Sequence, residues 1–174
     1  MKMQSQTRTT VRSAFTLVEL LVVIAIIALL AGILLPALTA AFAKAEKAQV
    51  QTEVQSVKTA IQAFVNDYAK MPIASGHGNS DIQYLGDSSK PIFQILTANE
   101  SGGSVVNARR TVYLETKNNL TDGTFKDAWD VQYSLKLDTD YDGKVNGIAT
   151  ICIVTSAGPD GDINTTNDNL VSSN

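Results

Sequence analysis

Cysteine occurs once in the 174 residues, at Cys152, and histidine once, at His77. One cysteine excludes an intrachain disulfide. Zinc-ligand spacing, a Cys/His nucleophile pairing, a nucleotide-binding glycine loop and a G-x-S-x-G elbow are all absent. Cys152 lies in the apolar run Ile148–Val154 and reads as a small core residue, and His77 lies between two glycines in a loop. The carboxylates gather in acidic turns instead of facing each other across a cleft, so the chain is not expected to be an enzyme. Lysine and arginine form no run interleaved with aromatics, and nucleic acid is not an expected partner. Charge itself is missing over one long stretch. From Leu20 to Ala43, 24 residues, no side chain is ionisable as an acid or base.

That stretch is intensely apolar. Leu20 to Leu38 is 19 residues, which at helical rise covers about 28 Å, close to the roughly 30 Å hydrocarbon core of a bilayer. The first 14 residues hold Lys2, Arg8 and Arg12 with no acid. The positive-inside rule then predicts a cytoplasmic N-terminus and an exported remainder. Glu19 sits at the near edge of the span. An intramembrane carboxylate is a functional hypothesis by default and needs a cationic partner. A cut between Ala14 and Phe15 would supply one, because the new α-amine of Phe15 lies at the depth of Glu19.

Phe15-Thr16-Leu17-Val18-Glu19-Leu20 followed by an uninterrupted apolar helix resembles the class III signal of type IV pilins and type II secretion pseudopilins. In that family a prepilin peptidase cuts before the Phe and methylates its amine, and the Glu pairs with the amine of an adjacent subunit during filament assembly. The resemblance assigns processing to Ala14 and Phe15 and assembly to Glu19. Ala14 stands where the family usually has Gly. An ordinary signal peptide ending at Ala41-Phe42-Ala43 is the competing reading, set against by a hydrophobic region longer than usual that begins with Glu.

The chain then divides as 1–14, a cleaved basic leader; 15–43, a transmembrane and assembly helix; 44–72, its amphipathic continuation; and 73–174, a globular head. Pro36 cannot give an N–H to the carbonyl of Gly32, so one helical bond is lost late in the span. Val50, Val54, Val57, Ile61, Phe64, Val65 and Tyr68 form one stripe of a 3.6-residue period. Lys44, Glu46, Lys47, Gln51, Glu53, Gln55, Lys58 and Gln62 fill the other faces, and Met71-Pro72 ends the helix. Residues 73 to about 110 are loop-rich, with a small helix at Pro91–Leu96. Arg109-Arg110 reads as a solvated or salt-bridged pair.

Val131, Tyr133, Leu135 and Leu137 alternate with polar residues as a half-buried strand, and Ile148–Val154 reads as a more buried one. Together they predict an antiparallel hairpin with an acidic loop. The fold class is therefore α+β, a long N-terminal helix packed on a small antiparallel sheet; the resemblance implies that this is the pilin fold, with a calcium-type acidic C-terminal loop. Asp127, Trp129 and Tyr133 carry over from the Asp-Pro-Trp-Gly-x-Pro-Tyr stretch of the major pseudopilin.

From Asp122 onward there are nine Asp, no Glu and only Lys126, Lys136 and Lys144. Asp138, Asp140 and Asp142 with Gly143 match the opening positions of an EF-hand-type loop, but Ala149 stands where the closing Glu belongs. The reading of a solvated acidic turn stays open. Asp160, Asp162 and Asp168 resemble the tail of the major pseudopilin, where the family binds calcium, so Ca²⁺ is the expected cofactor.

The resemblance implies a subunit of a type II secretion pseudopilus, single-pass in the inner membrane with a periplasmic head. Its partners would be copies of itself, other pseudopilins, prepilin peptidase and the inner-membrane assembly platform. A type IV pilin for adhesion, motility or DNA uptake is the alternative, and a secreted calcium-binding domain released after Ala43 is the third reading. The missing cysteine pair and the aspartate-rich tail favour the pseudopilin.

Overall fold

The computed structural model describes residues 15–74, 78–100, 105–116 and 123–172. Ala14 and the basic leader, together with His77, lie outside them. The chain divides into two compact units between Ala43 and Lys44.

The first unit consists, as described, of Phe15, Thr16 and the opening part of helix α1 (Leu17–Tyr68). Among the described residues this is the one helix long and apolar enough to cross a membrane, and none of its most apolar window is buried within the chain. Pro36 lies inside the helix. The Thr39 hydroxyl donates to the Pro36 carbonyl at 3.0 Å.

The second unit is built on the remainder of α1. Val50, Val54, Val57, Ile61 and Phe64 are buried as the periodicity predicts. They pack in one cluster with Tyr133, Leu135, Leu137, Cys152 and Val154 of the sheet region. Val65 and Tyr68 are half-buried against that cluster. Lys58, assigned by the pattern to a solvated face, is instead buried. It follows Val57 directly, and its apolar stem extends the buried stripe sideways.

Helix α1 stops at Tyr68, before Met71-Pro72. Ala69 adopts a left-handed conformation (φ 51°) while its N–H still bonds the Val65 carbonyl at 2.8 Å. Such a residue satisfies a helix end as a C-terminal cap does. Met71 is buried, and its N–H donates to the Tyr141 hydroxyl at 2.9 Å.

The sheet has the order β1 (Ile82–Tyr84), β2 (Ser134–Leu137), β3 (Cys152–Ser156), β4 (Leu170–Val171), every neighbour antiparallel. Leu135 pairs with Val154 and Leu137 with Cys152, so period-two alternation brings these four side chains to the core face. Cys152 is buried, as expected. A short helix α2 (Lys90–Leu96), with Pro91 in its first turn, buries Ile92, Phe93, Ile95 and Leu96.

The strands are shorter than alternation suggests, for two identifiable reasons. Asn146 and Gly147 both have positive φ (54° and 77°), and Val145 and Ile148 exchange backbone hydrogen bonds across them. This is the conformation an Asn-Gly turn favours. It reverses the chain early, leaves Ile148 44% exposed, and delays β3 until Cys152. Upstream, Asp127 accepts from the N–H groups of Trp129 and Val131, both at 3.0 Å. That turn delays β2 until Ser134. The other Asp127 oxygen accepts from the buried Ser156 hydroxyl at 2.6 Å, tying the turn to β3.

Tyr133 is fully buried, and its hydroxyl donates to Glu53 of α1 at 2.6 Å. Burial and the Glu53 carboxylate push its phenol well above the usual range. The contact joins helix and sheet through a charge-assisted bond.

Candidate functional site: the helix start and the acidic loops

At the start of α1 the backbone N–H groups of the first turn have no intrahelical acceptor. Thr16 and Glu19 supply two. The Glu19 N–H donates to the Thr16 hydroxyl oxygen at 3.2 Å, and the Thr16 N–H donates to Glu19 Oε2 at 2.8 Å. The Thr16 hydroxyl also donates to the same Oε2, at 2.7 Å. This is a reciprocal capping box. Thr16 was not singled out by the sequence reading, although Thr-x-x-Glu before an apolar run is its ordinary signature.

That arrangement gains most in an apolar surrounding. Where water is scarce, an unpaired carboxylate and unpaired N–H groups are both costly. Here each answers the other. Phe15 is next to the box and 78% exposed, so an amine created at Phe15 would emerge beside a carboxylate already oriented at the helix end.

In the head, the two strands β1 and β2 decide which carboxylates meet. Ile82 pairs with Leu137, so Asp81, one residue before β1, is brought beside Asp138, one residue after β2. One carboxylate oxygen from each of Asp81, Asp138 and Asp140 lies within 4.8 Å of the others. Among the described residues Asp142 does not join this group. It accepts from the Lys144 N–H at 2.7 Å instead.

Asp138 is only 2% exposed. Its oxygens accept from the N–H groups of Asp142 (3.1 Å) and Gly143 (2.9 Å). Burial raises its pKa, and the hydrogen bond with Asp140 raises it further. The Gly143 and Asp142 N–H groups pull in the opposite direction. Asp81 Oδ2 accepts from the Asn146 N–H at 3.2 Å, whereas Asp81 Oδ1 is buried with no hydrogen-bond partner. An orphaned carboxylate oxygen beside two further carboxylates suits a hard cation.

The tail carboxylates are arranged otherwise. Asp160 accepts from the Thr165 hydroxyl at 2.5 Å and from the Asp162 N–H at 2.9 Å. These bonds, the Thr165 one first, hold its carboxyl below the usual range. Asp162 accepts from the backbone and side-chain amides of Asn164. Asp168 packs on Gly158: a Cβ there would lie 2.7 Å from the Asp168 carbonyl. Asp160 and Asp162 thus each accept local hydrogen bonds.

Residues 10–35 match the family model described as the prokaryotic N-terminal methylation motif. The chain is also 32% identical over 106 residues to a type IV major alpha-pilin of Moraxella bovis. This chain is thus similar to a type IV pilin. The match covers 58% of the chain and 66% of that relative's length. No solved structure matches. The matched motif contains the Thr16–Glu19 box, so the pilin-like signal and the capping geometry coincide on the same residues.

Proposed function

We propose that the chain is a structural subunit of a type II secretion pseudopilus. A prepilin peptidase cuts between Ala14 and Phe15 and methylates the new amine. The carboxylate of Glu19 then exchanges its bonds to Thr16 for the amine of an adjacent copy. The observation that carries this is the capped carboxylate at the head of a helix that is uncharged from Leu20 to Ala43 and whose most apolar window is wholly unburied. Before assembly the apolar surface faces lipid in the inner membrane, with the head in the periplasm. Afterwards the same surface forms the interior of a filament with other copies and other pseudopilins, extracted through an inner-membrane platform.

The second reading, a type IV pilus subunit, is favoured by the 32% identity to the Moraxella bovis type IV major alpha-pilin. A deletion strain separates the two. Loss of exported proteins from the medium with surface fibres retained supports the pseudopilus. Loss of surface fibres with export intact assigns the chain to a pilus.

We also propose that Asp81, Asp138 and Asp140 hold calcium, the cofactor expected from the acidic loops. A bound Ca²⁺ would offset the mutual repulsion of the three carboxylates and order the loop after β2. Calorimetric titration of the purified chain with CaCl₂ is expected to give binding that Asp81→Asn with Asp140→Asn removes. Equal heats from both proteins would reject that set.

A further inference from the structure

A second feature of the head is charged and used by nothing above. Lys70 and Arg109 flank the Tyr68 ring, their cationic groups 5.8 and 5.5 Å from its centroid. Arg110 follows in a left-handed conformation (φ 49°), with its N–H bonded to the Asn107 carbonyl at 2.9 Å. All three side chains are exposed. Among the described residues the ion pairs are Lys90–Asp87 and Lys126–Asp130, neither of which involves them.

The turn that carries the arginines is strongly built. Asn107 is fully buried and donates to the carbonyls of Ile95 and Thr111, while its oxygen accepts from Thr111 and from the Tyr68 hydroxyl. The Glu100 carboxylate caps the N–H groups of Val106 and Asn107. The Arg109 N–H donates to the Tyr68 hydroxyl at 2.9 Å. The nearby Asp67 carboxylate takes the Tyr113 hydroxyl at 2.6 Å. A strained residue in an over-determined turn, presenting two guanidinium groups outward, is the form of a recognition element.

The chain itself contains a counterpart. After Lys144 there is no further Lys or Arg. Asp160 and Asp162 are exposed and Asp168 is half-buried. Three cations on the patch match three anions on the tail. Both belong to the head, yet no tail carboxylate pairs with the patch among the described ion pairs.

We propose that the Lys70–Arg109–Arg110 patch docks on the Asp160–Asp168 tail of a second copy of this chain, fixing how heads meet along the polymer. The inference rests on the filament reading above. Exposed ion pairs are weak singly, but a contact repeated at every copy sums along a polymer. Its guanidinium groups select carboxylates by paired N–H donors as well as by charge. Nucleic acid would also meet a basic patch, but the net charge of −3 on the chain opposes it.

The test uses the full chain in cells, with filaments recovered from the lysed cell envelope by sedimentation. Arg109→Glu with Arg110→Glu is expected to lower filament yield by about tenfold, as is Asp160→Lys with Asp162→Lys. The four changes together are expected to restore yield to within about threefold of the parent. Co-expressed Arg110→Cys and Asp162→Cys copies are expected to cross-link within filaments, with Cys152 buried away from the reaction. The cross-link decides the matter where a reversed tail fails to fold. Unchanged yields, or a quadruple variant as defective as its parents with no cross-link, would overturn the docking while leaving the filament reading in place. Intact filaments with DNA retention lost on the arginine reversal would assign the patch to nucleic acid and overturn it equally. No filament from the parent chain would show that the filament reading itself had failed.

Discussion

The helix start and the acidic loop after β2 solve the same problem in opposite ways. Each must hold a carboxylate where solvation is poor. At the helix start the solution is internal: Thr16 and Glu19 complete each other's hydrogen bonds in one turn. In the loop it is incomplete, since Asp81 Oδ1 is buried without a partner and Asp138 shares its surroundings with Asp140. A satisfied carboxylate can wait for its partner, whereas an unsatisfied one leaves an acceptor open to the cation proposed above.

The largest effect expected from breaking this comparison is at Glu19. Glu19→Ala should leave cleavage and membrane insertion intact, both followed by immunoblot of membrane fractions, and reduce filaments sedimented from the lysed envelope by more than about tenfold. Normal filaments from that variant would show that the carboxylate has no part in assembly. Next comes the tail. Gly158→Ala places a Cβ 2.7 Å from the Asp168 carbonyl at φ +73°, and should destabilise the head by about 1–3 kcal/mol in a thermal melt.

Thr16→Val removes the capping hydroxyl but keeps the shape. A loss of about 1 kcal/mol is typical for a helix cap, so assembly should fall less than with Glu19→Ala, and Thr16→Ser should restore it. The smallest effect is on the calcium loop. At a calcium concentration equal to Kd, binding adds only about 0.4 kcal/mol. The sign with pH is the informative part. The raised pKa of Asp138 means that, without calcium, its contribution to stability falls as pH rises above the ordinary carboxylate range. Calcium affinity should rise over the same interval, because Asp138 must be deprotonated to bind. Affinity that is flat or falling with pH would exclude Asp138 as a ligand.

What the sequence disclosed depended on the range of the interactions involved. The stripe Val50-Val54-Val57-Ile61-Phe64 is local, and the structure buries each member. Antiparallel pairing of β2 with β3 followed from two nearby apolar segments. Two local signals were legible but outweighed by stronger patterns nearby. Thr16-x-x-Glu19 was masked by the processing motif, and Asn146-Gly147 by the apolar run that follows it. Asp81 was not legible at all. It reaches Asp138 only through the register of β1 on β2, two segments more than 50 positions apart in the chain. The Asp160, Asp162 and Asp168 grouping took its force from resemblance, while the structure gives each residue its own local donors or packing.

The central claim is that the apolar helix is retained and begins at a processed Phe15. Mass spectrometry of the N-terminal peptide from the mature protein tests this directly. A chain that starts at N-methylated Phe15 is expected, and a chain that starts at Lys44, with the helix removed, would refute processing at Phe15.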